Sequence, residues 1–169
     1  DNTPSLTLVK QVTNDNGGTA VASDFQGKID GGNVPWNVAQ VVSASSHTAS
    51  ETPVSGYTAS SWGGDCATNG AVSLNPGDNK TCTITNNDNA AHLIVIKHVI
   101  NDNGGTAVAG NFSTTITGVT TAVPTAAGAE SPGVDNTLTT VGSYSVDEGA
   151  HVGYDKTLST DCSGTIALG

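Results

Sequence analysis

LTLVKQVTNDNGGTAVASDF, Leu6 to Phe25, decides the reading of this chain, because it occurs twice. It returns 87 positions later as LIVIKHVINDNGGTAVAGNF, Leu93 to Phe112. The run NDNGGTAVA is identical in both copies. Self-similarity of this length marks tandem modules. Two modules follow, residues 1–89 and 90–169, each of about 80 to 90 residues, enough for a small domain.

Within each copy the apolar residues alternate. Leu6, Leu8 and Lys10 share one face of a strand, as do Leu93, Val95 and Lys97. Asn-Asp-Asn-Gly-Gly is read as a hairpin turn, with residues 19–25 and 106–112 returning as a second strand. Residues 26–46 and 113–143 diverge in sequence and length, as loops and variable strands do. Similarity resumes at Glu51 to Tyr57, matched by Glu148 to Tyr154 with the same spacing. No segment has helix caps and a 3.6-residue period.

Composition agrees with β-structure. Thr, Ser, Asn, Gly, Ala and Val dominate, and only 12% of residues are charged. The net charge is -10, and a cut at residue 90 gives each half -5. Such a surface repels nucleic acid and anionic lipid, which excludes both as partners. No apolar run approaches the roughly 20 residues of a membrane span. The absence of methionine suggests a mature or excised piece.

Three cysteines in a small polar chain point to an extracellular setting. Cys66 has Cys82 as its natural partner, and two buried thiols are the alternative. Aligning the copies places Cys162 opposite Cys66. The counterpart of the closing strand TCTITNN is missing from the second copy. Cys162 is therefore expected to find its partner outside the chain. The missing strand would come from following sequence or from a neighbouring subunit.

The same alternation gives the chemistry. Cys82, Ile84 and Asn86 share a face, so Asn86 points inward with Ile84. Tyr144, Val146 and Glu148 share another, which turns Glu148, and by alignment Glu51, inward. A buried Lys, Glu and Asn are costly together unless they satisfy one another. They are also the groups that an autocatalytic Lys–Asn amide crosslink requires. Desolvation leaves a neutral amine as nucleophile, and a carboxylic acid polarises the amide carbonyl and shuttles protons. A Lys–Glu ion pair at a rim, without a covalent bond, is the alternative, and Asn87 competes with Asn86 as acceptor.

The first-strand lysine in L-x-x-x-K, the glutamate ahead of Gly-Tyr and the closing I-T-N strand resemble the Cna-B-type, prealbumin-like repeats of prokaryotic surface adhesins and pilins. The cysteine pair is not part of that pattern. The resemblance implies an all-β chain of two tandem immunoglobulin-like or prealbumin-like (transthyretin-like) β-sandwich modules, the second without its last strand. It implies no enzymatic turnover. By position, Lys10 would be the nucleophile, Glu51 the acid and Asn86 the acceptor of an internal isopeptide. Lys97 and Glu148 match in the second copy, where the acceptor is absent.

Other motifs are weaker. The NDNGG segments offer Asp15, Asn16, Asp102 and Asn103 to calcium, but lack the spaced acids and closing glutamate of a calcium loop, so no cofactor is expected. His47, His92, His98 and His151 show no metal-ligand spacing and are read as surface or linker residues. No nucleophile elbow, phosphate loop or dinucleotide fingerprint occurs. The reading is an extracellular, cell-surface structural protein: a stalk, adhesin or pilus-like filament whose partners are copies of itself or adjacent repeats. The alternative is a module that binds surface or host glycans or proteins, with Trp36 and Trp62 stacking on sugar rings.

Overall fold

The structure, a computed structural model, describes residues 2–169; the start of the first module at Asp1 lies outside them. Strands, joined by turns and three short 3₁₀ segments, make up the regular structure of the described residues. The chain divides into two compact units, one of residues up to 15 with 19–88 and the other of residues 16–18 with 89–169.

In the first unit, β1 (Ser5–Thr13) is central to one sheet. It pairs in parallel with the closing strand β9 (Asn79–Asp88) over nine residue pairs, and antiparallel with β4 (Gln40–Val41). On the far side of β9 lie β6 (Tyr57–Ala59) and β7 (Gly63–Gly64). The second sheet has the order β3 (Gly32–Val34), β2 (Gly27–Ile29), β5 (Ser46–Glu51), β8 (Ala71–Ser73). The inward side chains of both sheets form one core: Leu6, Leu8 and Cys82 from the first, Ile29, Ala49 and Val72 from the second. This is the sandwich that period-2 alternation dictates.

The second unit repeats part of this plan. One sheet has the order β12 (Thr125–Ala127), β11 (Ser113–Thr117), β14 (Gly142–Glu148), β15 (Ser163–Ile166). The other consists of β10 (His92–Val95) antiparallel to β13 (Val134–Thr137). Ile116, Val146 and Leu138 are buried between the sheets. Among the described residues no strand covers the other side of β10, where β1 has β9. Near-identical sequences therefore give strands of different length. β1 runs nine residues, whereas β10 stops after four. The ladder to β9, and not local propensity, keeps residues 9–13 extended and paired.

Residues 19–25 and 106–112 do not form the second strand expected of them. Their backbone donors go to side chains instead. The Ala20 amide donates to Tyr57 Oη at 2.9 Å and the Val21 amide to Asp24 Oδ2 at 2.8 Å. The Ala107 amide donates to Tyr154 Oη at 2.9 Å and the Val108 amide to Asn111 Oδ1 at 2.8 Å. With donors already satisfied, a 3₁₀ turn forms and no ladder is needed. The NDNGG segments accordingly are not hairpin turns; each closes through its own asparagine, Asn14 Nδ2 donating to Ala20 O and Asn101 Nδ2 to Ala107 O.

Candidate functional site

Strand alternation puts Lys10 on the core face of β1 and Asn86 on the core face of β9. The register pairs Val12 with Asn86, so the lysine side chain reaches diagonally along the sheet. Glu51 comes from the end of β5 in the facing sheet. The three meet. Lys10 Nζ donates to Glu51 Oε2 at 2.5 Å and to Asn86 Oδ1. Asn86 is 1% exposed and Lys10 6%. Asn87, the competing acceptor, is exposed.

Aromatic rings close the site. Lys10 Nζ lies 4.1 Å from the Phe25 ring centroid and 5.6 Å from that of Trp36. Phe25 packs edge-on against Tyr57, whose hydroxyl donates to Asn14 Oδ1 at 2.6 Å. The repeated NDNGG and Gly-Tyr motifs thus serve one purpose: they hold the turn that carries Phe25 over the lysine. Phe25 and Phe112 were not singled out from sequence as site residues, although their recurrence at matched positions was visible.

Trp36 Nε1 donates to Phe25 O at 2.6 Å, and the ring lies against Gly27, where an added Cβ would come within 3.1 Å of it. Trp36 and Trp62 are both partly buried and pack against the core cluster, which leaves part of each ring for the stacking that the glycan reading asks of them.

Burial without water penalises a charge. Desolvation pushes the Lys10 ammonium below the usual lysine range, against the opposing pull of the hydrogen bond and charge of Glu51. Glu51 Oε1 is buried with no hydrogen-bond partner among the described residues. The site thus joins a lysine biased toward the neutral amine to a carboxyl oxygen with unused capacity and a carboxamide.

The second unit reproduces two of the three groups. Lys97 Nζ donates to Glu148 Oε1 at 3.1 Å and lies 3.0 Å from Oε2. Phe112 sits 4.3 Å beneath it, braced edge-on by Tyr154. The Lys97 side chain is 16% exposed against 0% for Lys10, because no strand covers it.

Cys66 and Cys82 form a disulfide, and Cys162 is a half-buried free thiol. Around the calcium candidates, the Asp15 backbone amide donates to Asp88 Oδ1 at 3.0 Å, and Asn103 Nδ2 donates to Asp102 Oδ1 at 2.8 Å. No group of three or more metal-ligating side chains occurs among the described residues. His47 corrects the surface reading. It is 8% exposed, and its two ring nitrogens donate to Asp30 Oδ2 at 2.6 Å and Ser43 O at 3.0 Å.

Two tandem β-sandwich units, each with a lysine–glutamate pair under an aromatic lid, define a class of repeat module. The family model of the SpaA-type prealbumin-like fold domain matches the chain twice, over residues 1–84 and 88–168, and the chain belongs to that family. No curated protein and no solved structure matches it. Among the described residues no helix is long and apolar enough to cross a membrane.

Proposed function

We propose that this chain is a structural part of an extracellular stalk, adhesin or pilus-like filament, built from tandem sandwiches and covalently tied within the module. It performs no turnover chemistry. Family membership supports the structural role, and the disulfide fits an oxidising, extracellular location. The observation that carries the reading is the buried Lys10–Glu51–Asn86 cluster joining the first strand to the last.

The reaction it suits is a single, self-directed amide exchange. The neutral Lys10 amine attacks Asn86 Cγ while Glu51 hydrogen-bonds the carboxamide and carries the proton. The carboxamide nitrogen leaves as ammonia, and an Nζ–Cγ amide remains. No cofactor or oxidant enters the balance. The reaction occurs once per molecule, so the geometry serves stability and not catalysis of an external substrate.

Intact mass after full reduction tests the crosslink. The expected mass is the polypeptide less one ammonia, restored to the full calculated value in Lys10→Met and Asn86→Ala. A full mass in the unaltered chain would remove the crosslink. Antibody labelling of whole cells tests the role: label is expected along surface filaments or stalks, and label confined to the cell interior would overturn it.

A further inference from the structure

Away from the lysine site, the first unit gathers Asp30, His47, Ser43 and Ser45 on its second sheet. The Asp30–Gly31 turn joins β2 to β3, with Asp30 held at a φ of 51°, a left-handed backbone that aspartate tolerates. From this turn the Asp30 carboxylate reaches β5. Its Oδ1 accepts from the Thr48 amide at 2.8 Å and its Oδ2 from His47 Nδ1 at 2.6 Å. The ring is thereby fixed with Nε2 toward residues 43–45. There Nε2 lies 3.3 Å from Ser45 Oγ and 3.4 Å from Ser43 Oγ, and the two hydroxyls are 2.7 Å apart. Both serines are exposed, whereas the ring is buried.

A carboxylate that fixes an imidazole, whose other nitrogen faces a hydroxyl, is the arrangement that activates serine for acyl transfer, and it is recognised by geometry and roles. Serine–imidazole contacts of this length tighten once a reacting group is bound. A plain staple between the Asp30 turn and β5 would need neither hydroxyl. The protonated ring donates to Ser43 O, 3.0 Å from Nε2; when that proton is lost, the same nitrogen accepts from Ser45. The hydrogen bond to Asp30 raises the pH at which this happens above the ordinary histidine value of 6.5. The charged group facing the ring is Asp30; Val72, opposite His47 in β8, is apolar. Ser45 is the better held of the two serines. Its amide donates to Ser43 O at 3.0 Å and its carbonyl accepts from the Leu74 amide at 2.9 Å.

We infer that Ser45 is a covalent attachment site that takes an acyl group from an activated ester or thioester, with His47 as its base and Asp30 positioning the ring. His47 Nε2 takes the Ser45 hydroxyl proton as Oγ bonds the acyl carbon. The bond from that carbon to the leaving oxygen or sulfur then breaks, and Nε2 returns the proton to the departing group. An O-acyl serine and a free alcohol or thiol result, with no change in oxidation state. The Ser43 hydroxyl, hydrogen-bonded to Ser45 Oγ, steadies it for attack. The reaction ends at the serine ester, one group per chain. It adds an attachment to the outside of the module and does not depend on the Lys10–Asn86 crosslink.

The test treats the full 169-residue chain with p-nitrophenyl acetate and follows phenol release and intact mass. Neutral hydroxylamine separates a serine ester from acetyl amides on lysine. One hydroxylamine-labile acetyl group per chain is expected, mapped to Ser45 by peptide mass. Its rate should rise with pH through one ionisation above 6.5. It should exceed by about 10²-fold the rate of the peptide VVSASSHTA, residues 41–49, which has both serines and the histidine but no Asp30. Ser45→Ala should remove the label, and Ser43→Ala should keep it at Ser45. His47→Gln should slow it about 10²-fold, with hydrogen exchange of β5 and β8 unchanged. Asp30→Asn should move the pH midpoint down toward 6.5. If His47→Gln does not fold, the peptide ratio and that midpoint decide the matter. A label at Ser43 or spread over several serines, a rate no faster than the peptide's, or a rate indifferent to His47→Gln would overturn the inference. Phenol release exceeding the acetyl groups retained would overturn it too, since the ester would then be turning over.

Discussion

Pulling on the first unit separates a crosslinked sandwich from one that is only disulfide-bonded. With handles at Asn2 and Asn89, only this unit is loaded. Between Ser5 and Asp88 lie about 83 peptide steps of ~3.5 Å each when extended. The Cys66–Cys82 bridge spans 16 residues of sequence and withholds them, so about 67 steps, ~230 Å, can be drawn out. The folded strands already span roughly 30 Å. Unfolding without a Lys10–Asn86 amide should therefore lengthen the tether by about 200 Å. With the amide, only the short stretches outside Lys10 and Asn86 are loaded, about 7 steps, and the tether should not lengthen measurably. In optical tweezers the unaltered chain is expected to show no long step. Lys10→Met should show the ~200 Å step, increased by about 55 Å once reductant opens the disulfide. A ~200 Å step in the unaltered chain would refute the reasoning. The disulfide does not replace the amide here, because it ties β9 to a loop of its own half and not to β1.

Tyr57→Phe leaves the Ala20 amide and Asn14 Oδ1 without their shared partner, and should cost about 1–2 kcal/mol in urea unfolding of the first unit. Tyr154→Phe should do the same in the second. Cys66→Ser with Cys82→Ser opens a loop of about 15 residues and should lower the stability of the first unit by roughly 3 kcal/mol, while the hydrogen-exchange protection of β11 and β14 is unchanged. The His47–Asp30 pair predicts a stability plateau. The hydrogen bond to Asp30 raises the histidine above its usual 6.5, so its contribution is complete below that pH and is lost as pH rises through the raised value. The hydrogen bond to His47 holds Asp30 below its usual 3.8, so its contribution is complete above that pH and is lost as pH falls through the lowered value. Thermal melts of the unaltered chain should be flat between these limits, and His47→Gln should remove the slope on the alkaline side. An unchanged slope in that variant would place the titrating group elsewhere.

The parts of this site governed by a two-residue period were legible in the sequence. Lys10 and Asn86 could be turned inward because Leu8 and Ile84 had to be. Glu51 was found only because its counterpart Glu148 stands in a clearer alternation with Val146. What escaped were contacts that periodicity does not encode. Residues 19–25 look like a strand by composition, yet a tyrosine hydroxyl 37 residues away takes the Ala20 amide. His47 looks like a surface residue until Asp30 and Ser43 close on both its nitrogens. Trp36 looks like a loop residue facing solvent until Gly27 gives part of its ring a seat. In each case a partner distant in sequence decides the outcome, and a single copy of a motif gives no sign of that partner.

The parallel pairing of β1 with β9 has a mechanical consequence. The chain enters β1 at Ser5, at one end of the ladder, and leaves β9 at Asp88, at the other. Tension between those ends runs along both strands in opposite directions, so they are asked to slide past each other. Sliding loads the interstrand hydrogen bonds together, whereas an antiparallel hairpin pulled from its open end loses them one at a time. The Lys10–Asn86 contact lies inside that sheared interface, and a covalent bond at this place would turn a cooperative resistance into one set by the strength of the chain itself.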